Sequence, residues 1–143
     1  MPDTPETIIA FDFGLRRIGV AVGQQVTNSS NTLETIANVE SGPDWLRIDE
    51  IIREWGPQRL IVGMPLHTDG SPSKTSERVS SFVAELDRFE LPIETVDERY
   101  SSVEAQAVLK SKRARGLRGR ISKESIDSTA AKLIAERWLK NER

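Results

Sequence analysis

The chain has 143 residues, of which 37% are hydrophobic and 29% charged, and this length predicts a single domain over 1–143. It has no cysteine and only one histidine, His67, which excludes disulfides, thiolate metal sites, cysteine nucleophiles and histidine clusters. The N-terminus is acidic and polar, and no apolar run approaches the ~20 residues of a membrane span, so we expect a soluble cytoplasmic protein.

The formal net charge of −2 conceals an uneven distribution of charge along the chain. Residues 105–123 contain seven of the 20 Lys and Arg residues and none of the 22 Asp and Glu residues. Charge that is separated in this way within one domain predicts an anionic partner at one place on the surface.

Three β-strands are predicted in the first forty residues. Residues 7–13 are apolar almost throughout, which is typical of a central strand buried on both faces. A tight connection through Gly14 leads to a second apolar run at 17–23, and the two runs together predict a hairpin. Residues 31–39 alternate in polarity, which indicates a half-exposed edge strand.

Helices and strands then alternate along the rest of the chain, so the predicted order is β-β-β-α-β-α-β-α-α. A hairpin-led sheet that continues through crossover helices is a mixed α/β sheet flanked by helices. In chain order, these elements are a helix from Pro43 that Gly56 and Pro57 end, a strand at 60–63, a helix opened by Ser71 and Pro72, a strand at 92–97, a short helix from Ser101 to Leu109 with a capping box at Glu104, and a final helix capped by Ser122.

Acidic residues lie at three places in the predicted elements, and these positions favour a shared functional role. Asp12 lies within the first apolar strand, where a carboxylate is costly unless it is paired or binds a metal. Asp97 and Glu98 end the last predicted strand, and ligands bind beyond the carboxyl ends of strands in open α/β sheets. Asp127 lies in the first turns of the last helix, beside small residues that allow a close approach to the sheet. Asp97 is expected to support the strand end.

Three converging carboxylates suit two-metal hydrolysis of a phosphodiester. Mg²⁺ binds a few carboxylates together with water and phosphate oxygens. A pair of ions ~3.5–4 Å apart activates a water molecule and stabilises the leaving oxygen. This chemistry needs neither histidine nor cysteine, in agreement with the composition.

Four stretches resemble the YqgF-type proteins, small members of the RNase H-like superfamily described as Holliday junction resolvases and as nucleases for the 5′ end of pre-16S rRNA. The motifs keep the family's order and spacing over most of the chain. The resemblance implies an RNase H-like five-stranded sheet with helices on both sides. It also implies catalytic and metal-binding roles for Asp12, Glu98 and Asp127, with Mg²⁺ or Mn²⁺ as a two-ion cofactor. The matching stretches are Asp12–Ala21, Ile61–Ser71, Glu94–Ser102 and Ile126–Ala131.

The basic segment 110–120 directly precedes the helix that carries Asp127, and we interpret it as a phosphate-binding segment. A solvated loop whose like charges repel one another is the alternative. The segment has no aromatic residue, so base stacking is not expected there. The predicted nucleic-acid contacts are Arg99, Lys110, Lys112, Arg113, Arg115, Arg118 and Arg120.

Several of these residues also have simpler interpretations. Asp12 could pair with Arg16 or Arg17, which by itself is as good an explanation as a metal role. Asp127 could complement the dipole of its helix. His67 is most simply a solvated loop residue.

The sequence thus predicts a divalent-metal-dependent nuclease for structured nucleic acid, with RNA and the pre-16S rRNA 5′ end favoured by the resemblance. Holliday junction resolution is the alternative within this class, and it would require a symmetric dimer with two sites. The sequence does not decide between a monomer and a homodimer. A non-catalytic RNA-binding factor for ribosome assembly is the alternative from another class. The acidic trio argues against it, because a pure binder gains nothing from carboxylates beside phosphates.

Overall fold

A six-stranded mixed sheet carries helices on both faces in the computed structural model, which describes residues 5–64, 74–97 and 123–141. In chain order, the elements are β1 (Thr7–Phe13), β2 (Arg17–Gln24), β3 (Ser29–Val39), β4 (Gly42–Pro43), α1 (Trp45–Trp55), β5 (Arg59–Met64), α2 (Lys74–Leu86), a 3₁₀ turn (Asp87–Phe89), β6 (Ile93–Asp97) and α3 (Lys123–Asn141).

Strand β1 lies in the middle of the sheet, whose order is β4-β3-β2-β1-β5-β6. It pairs antiparallel with β2, which confirms the predicted hairpin, and parallel with β5, where Phe11 lies opposite Val62. Strands β5 and β6 are also parallel, with Met64 opposite Asp97. Strands β1, β5 and β6 therefore all finish at one end of the sheet, called here its carboxyl end.

Alternation along β1 divides its side chains between two hydrophobic cores. Ile9 and Phe11 belong to the larger core, which α1 and α2 cover. Ile8 and Ala10 belong to the smaller core on the opposite face, which α3 covers. Because both faces of β1 are covered, the strand is apolar almost throughout, as its sequence predicts.

Aromatic contacts join the two helices of the larger core to β1. The Phe82 ring of α2 lies edge-on to Phe11 with ring centroids 5.6 Å apart, and its centroid is 5.1 Å from that of Phe13. The Trp45 indole at the start of α1 stacks on the Phe82 ring, with the centroids 5.6 Å apart. These rings bury a large apolar area, and such ring pairs contribute about 0.5–1.5 kcal/mol each beyond that burial.

The sheet has one strand more than the five predicted, because Gly42 and Pro43 pair with the end of β3 as β4. The prediction that Pro43 begins the first helix is therefore wrong. Asp44 caps α1 instead, since its carboxylate accepts a hydrogen bond of 3.2 Å from the Arg47 backbone amide. Helix α1 ends as predicted at Gly56, which has a left-handed φ of 53°.

The predicted edge strand at 31–39 begins two residues earlier, and β4 covers its last two residues. It is thus an outer strand over only part of its length. The predicted short helix from Ser101 to Leu109 and the predicted helix caps Ser71 and Ser122 lie outside the described residues.

Small residues bring α3 close to the sheet. Ala130, Ala131 and Ala135 are fully buried. A Cβ atom on Gly23 of β2 would lie 3.0 Å from Ile8 Cδ1 and 3.4 Å from Ala135 Cβ, so helix and strand meet with no spare space. Although α3 has 19 residues, neither it nor any other helix in the described ranges is long and apolar enough to cross a membrane.

A valine in place of Gly23 is expected to destabilise the fold. Its side chain would deepen a contact that a Cβ atom alone already fills, and overfilling a packed core costs about 1–3 kcal/mol. The free energy of unfolding of Gly23→Val in urea should fall by that amount. The control Thr32→Val, at an exposed position of β3, should change it by less than about 0.5 kcal/mol. Equal stability of the two variants would show that α3 does not pack this closely on β2.

Candidate functional site

Asp12 lies on the face of the sheet that α3 covers. It follows Ile8 and Ala10 at intervals of two residues along β1, and both of these pack under α3. The residue is only partly buried, which corrects the expectation of a carboxylate buried inside the strand. Asp12 has an interaction partner in the fold, as does Arg17, so a local structural role for this acid stays open.

Glycines flank Asp12 on both neighbouring strands. Gly19 of β2 lies directly opposite it, and in β5 Gly63 follows Val62, the partner of Phe11. Both glycines are buried, and neither has a side chain that would cover the carboxylate. The two neighbouring strands therefore place no side chain directly beside Asp12.

Contacts near the amino end of the sheet hold the C-terminal end of α3. The Trp138 indole donates a hydrogen bond of 3.1 Å to Glu94 Oε2 near the start of β6. The guanidinium group of Arg59, the first residue of β5, lies 5.8 Å from the centroid of the same indole ring. Trp138 therefore lies over the first residues of β5 and β6.

Arg59 joins these elements into one network. Its guanidinium group pairs with Glu6, just before β1, at 3.0 Å and with Glu94 at 2.7 Å. The hydrogen bond that the guanidinium donates to Glu6, together with the charges of both carboxylates, raises the pKa of the Arg59 guanidinium above its ordinary value. The group is thus cationic at neutral pH. Glu94 also accepts a hydrogen bond from the Trp138 indole. The network therefore fixes the position of the C-terminal end of α3 along the strands.

Helix α3 packs on the first half of β1 and is long enough to span the strand. Ala135 packs at Gly23, which lies opposite Ile8. Asp127 precedes Ala135 by about 12 Å of helix, at 1.5 Å per residue. Asp12 lies beyond Ile8 by about 13 Å of strand, at 3.3 Å per residue. The two lengths match, while the Asp127 side chain lies outside the described residues.

The third predicted acid, Glu98, lies outside the described residues. It follows Asp97, which ends β6 opposite Met64 at the carboxyl end of the sheet. Within the ranges that the structure describes, no three His, Cys, Asp or Glu residues gather into a metal-binding group. The site of Asp12, Glu98 and Asp127 thus stays a prediction. Of its three carboxylates, the structure describes only that of Asp12.

The predicted nucleic-acid contacts, Arg99 and the basic residues of 110–120, also lie outside the described residues, and so does His67. Their roles stay predictions. The charge of this segment is a property of the sequence alone: it holds six basic residues and no acid.

Asn38 holds the turn that follows Asp12, and the sequence pattern did not single it out. Its side-chain Nδ2 donates a hydrogen bond of 2.7 Å to the Gly14 carbonyl, and its backbone N–H donates one of 2.9 Å to the Arg16 carbonyl. The residue is buried, with 8% of its surface exposed. One signal could have identified Asn38. It lies two positions after Ile36, so its amide side chain falls on the buried side of β3.

Comparison of sequences identifies the family. The family model described as "RuvX: Holliday junction resolvase" matches residues 6–141. A relative from Azotobacter vinelandii is 40% identical over 136 residues, which cover 94% of each chain. A relative from Nitrosococcus oceani is 44% identical over 139 residues, which cover 96% of this chain and 89% of the relative. Both relatives carry the name "Putative pre-16S rRNA nuclease".

Solved structures with low sequence identity share the fold. RuvC of T. thermophilus, in complex with a Holliday junction substrate, has a TM-score of 0.55 at 11% identity and covers 94% of both chains. The yeast mitochondrial Holliday junction resolvase Ydc2 has a TM-score of 0.57 at 12% identity and covers 94% of this chain and 78% of its own. They confirm the RNase H-like α/β fold. Since the family model matches residues 6–141 and these relatives are at least 40% identical, the chain belongs to the RuvX family of Holliday junction resolvases, the YqgF-type family that its motifs resemble.

Proposed function

We propose that this protein is a divalent-metal-dependent nuclease that hydrolyses phosphodiester bonds in structured nucleic acid, with the 5′ end of pre-16S rRNA as its substrate. The observation that carries the proposal is the identity of 40% and 44%, over nearly the whole chain, to relatives named as pre-16S rRNA nucleases. The position of Asp12 supports it, because open α/β sheets bind their ligands beyond the carboxyl ends of the strands.

Asp12, Glu98 and Asp127 are the proposed catalytic and metal-binding residues. A set of carboxylates fits Mg²⁺ or Mn²⁺, which prefer oxygen ligands. The Asp12 carboxylate is partly exposed, and its neighbours Gly19 and Gly63 add no side chain that would compete with such an ion. When bound, a pair of these ions would supply an activated water and stabilise the leaving oxygen.

The proposed task of the remaining basic residues is to hold the substrate. Arg99 and the segment 110–120 would contact phosphates, which position a nucleic acid without reading its sequence. In this proposal the basic residues bind the nucleic-acid strand, and the carboxylates carry out the hydrolysis. We further propose that the whole chain works as one domain in the cytoplasm, where its rRNA substrate is found.

Holliday junction resolution is the second candidate, and the description of the matching family model favours it. Resolution would need two sites related by a two-fold axis, so it predicts a dimer. Incubation of the purified protein with Mn²⁺ or Mg²⁺ tests both candidates, with a precursor 16S 5′ fragment, a four-way DNA junction and linear duplexes as substrates. Cleavage of the RNA alone supports the first candidate, and paired nicks in the junction support the second. A protein that binds these substrates without cutting any of them would be an RNA-binding factor.

Replacing Asp12 with asparagine is expected to abolish cleavage while the fold stays intact. The change keeps the shape of the side chain and removes the charge that holds a divalent ion, and we expect the rate to fall by at least about 10²-fold, as for the loss of one electrostatic stabiliser. Because Asp12 is only partly buried, we expect the free energy of unfolding to change by less than about 1 kcal/mol. Cleavage rates and urea denaturation curves measure the two effects.

Asp49→Asn is the matched control, since Asp49 lies on α1 and pairs with the exposed Arg53. It should leave the cleavage rate at the wild-type value. Metal-dependent cleavage by Asp12→Asn at the wild-type rate would contradict the proposed role.

The basic segment is expected to contribute to affinity and not to the chemical step. Each phosphate contact adds roughly −0.7 to the slope of log K against log[salt] on single strands and −0.9 on B-DNA. The double variant Arg113→Ala, Arg115→Ala should therefore flatten this slope by about 1.4–1.8. Its rate at saturating substrate should change far less than that of Asp12→Asn. Affinity and slope equal to wild type would mean that the segment is a solvated loop.

A further inference from the structure

A groove of about 650 Å³ opens beside the turn that follows Asp12, on the face of the sheet that α1 and α2 cover. It lies between this turn, β4 with the end of β3, and α2. Phe13 and Phe82 contribute apolar surface to it. Pockets of roughly 300–1,000 Å³ hold one small ligand or a comparable part of a larger one.

Two arginines that line the groove differ from all the other described arginines. Within the described parts of the chain, the guanidinium groups of Arg16 and Arg78 form no ion pair, hydrogen bond or ring contact. The other described arginines have partners in the fold: Arg17, Arg47, Arg53, Arg59, Arg88 and Arg137. Among the described arginines, the fold therefore leaves these two without a partner, and both line this groove.

The turn that carries Arg16 is fixed to the sheet. Asn38 binds the carbonyls of Gly14 and Arg16 at 2.7 and 2.9 Å. A Cβ atom on Gly14 would lie 2.5 Å from the Arg17 carbonyl oxygen, so the turn requires glycine. Between them, Leu15 is held with 56% of its surface exposed. The groove thus has a preformed apolar and cationic rim, which lowers the entropic cost of binding a ligand.

Two carboxylates, Glu40 and Glu85, line the same groove. An occupant that satisfies every part of the lining therefore needs an anionic group for the arginines, hydrogen-bond donors for the carboxylates and a flat apolar surface for Phe13 and Leu15. An unpaired nucleotide has all three, in its phosphate, in the amino groups on its base edge and in the face of its base. The backbone of a closed duplex would offer only the first.

We propose that this groove binds one unpaired nucleotide of the substrate, next to the bond that is cut at Asp12. The inference rests on the proposed nuclease function, because the position beside Asp12 makes nucleic acid the occupant. Asp12 and Phe13 are consecutive residues on opposite faces of β1, so a strand that crosses the carboxyl end of the sheet reaches both. The substrate would then be a structured nucleic acid with a single-stranded segment beside the cleaved bond.

Binding of a fluorescent ten-nucleotide cytidine RNA, whose bases carry an amino group, tests the groove in EDTA without cleavage. Arg16→Gln and Arg78→Gln should each flatten the slope of log K against log[salt] by about 0.7 and weaken binding about fivefold at 0.1 M salt. Leu15→Ala should weaken binding without changing the slope, because it removes an apolar contact. The control Arg53→Gln removes an exposed arginine of α1 that pairs with Asp49, and it should change neither quantity.

Wild-type affinity and slope in both arginine variants would overturn the inference, whether or not the protein cleaves RNA. Weaker binding in both variants, together with a wild-type protein that cuts no substrate, would sustain the groove and refute the proposed nuclease. A dimer that Leu15→Asp dissociates in sedimentation, with unchanged RNA affinity, would assign the groove to a second copy of the chain and overturn the inference.

Discussion

Close packing of α3 on small residues of the sheet is the constraint on which the rest of the structure depends. A Cβ atom on Gly23 would already lie 3.0 Å from Ile8 Cδ1 and 3.4 Å from Ala135 Cβ. Ala10 of β1 belongs to the same core as Ala135, and Ala130 and Ala131 of α3 are also buried. Because protein interiors are packed as densely as organic crystals, a larger residue at this contact would have to move the helix and everything positioned by it.

The network around Arg59 fixes the position of α3 along the strands. Its ion pairs with Glu6 and Glu94 are partly exposed, so each contributes only about 0–1 kcal/mol to stability. Their larger effect is on position, because they tie the start of β5 to its neighbours while Glu94 also holds the Trp138 indole. The amino end of the sheet is thus the anchored end, and Asp12 lies partly exposed at the carboxyl end.

The two faces of β1 give the carboxyl end two different environments. On the α3 face, Asp12 is flanked by glycines and partly open to solvent. On the other face, Phe13 packs beside Phe82 at the groove that Arg16 and Arg78 line. Strand alternation makes this division unavoidable, since consecutive residues point to opposite faces. A nucleic acid that crosses the end of the sheet would therefore meet carboxylate chemistry on one side and apolar and cationic surface on the other.

The sequence by itself determined the elements whose patterns are local. The apolar run of β1, the hairpin through Gly14, the end of α1 at Gly56 and the presence of a final helix all follow from periodicity and turn residues, and the structure confirms them. The choice of Asp12 came from the same source, because a charge within an apolar run stands out. The motifs also placed the chain in its family, as the comparisons confirm.

The tertiary structure decided what depends on residues distant in the chain. Pro43 looks like the first residue of a helix, yet it pairs with Asn38 as an edge strand, where the lack of an N–H costs nothing. The partial exposure of Asp12, the seat of α3 on Gly23 and the separation of paired from unpaired arginines likewise arise from contacts between elements. Local sequence patterns record only which face of an element is apolar, whereas partner, register and height are set when those faces pack together.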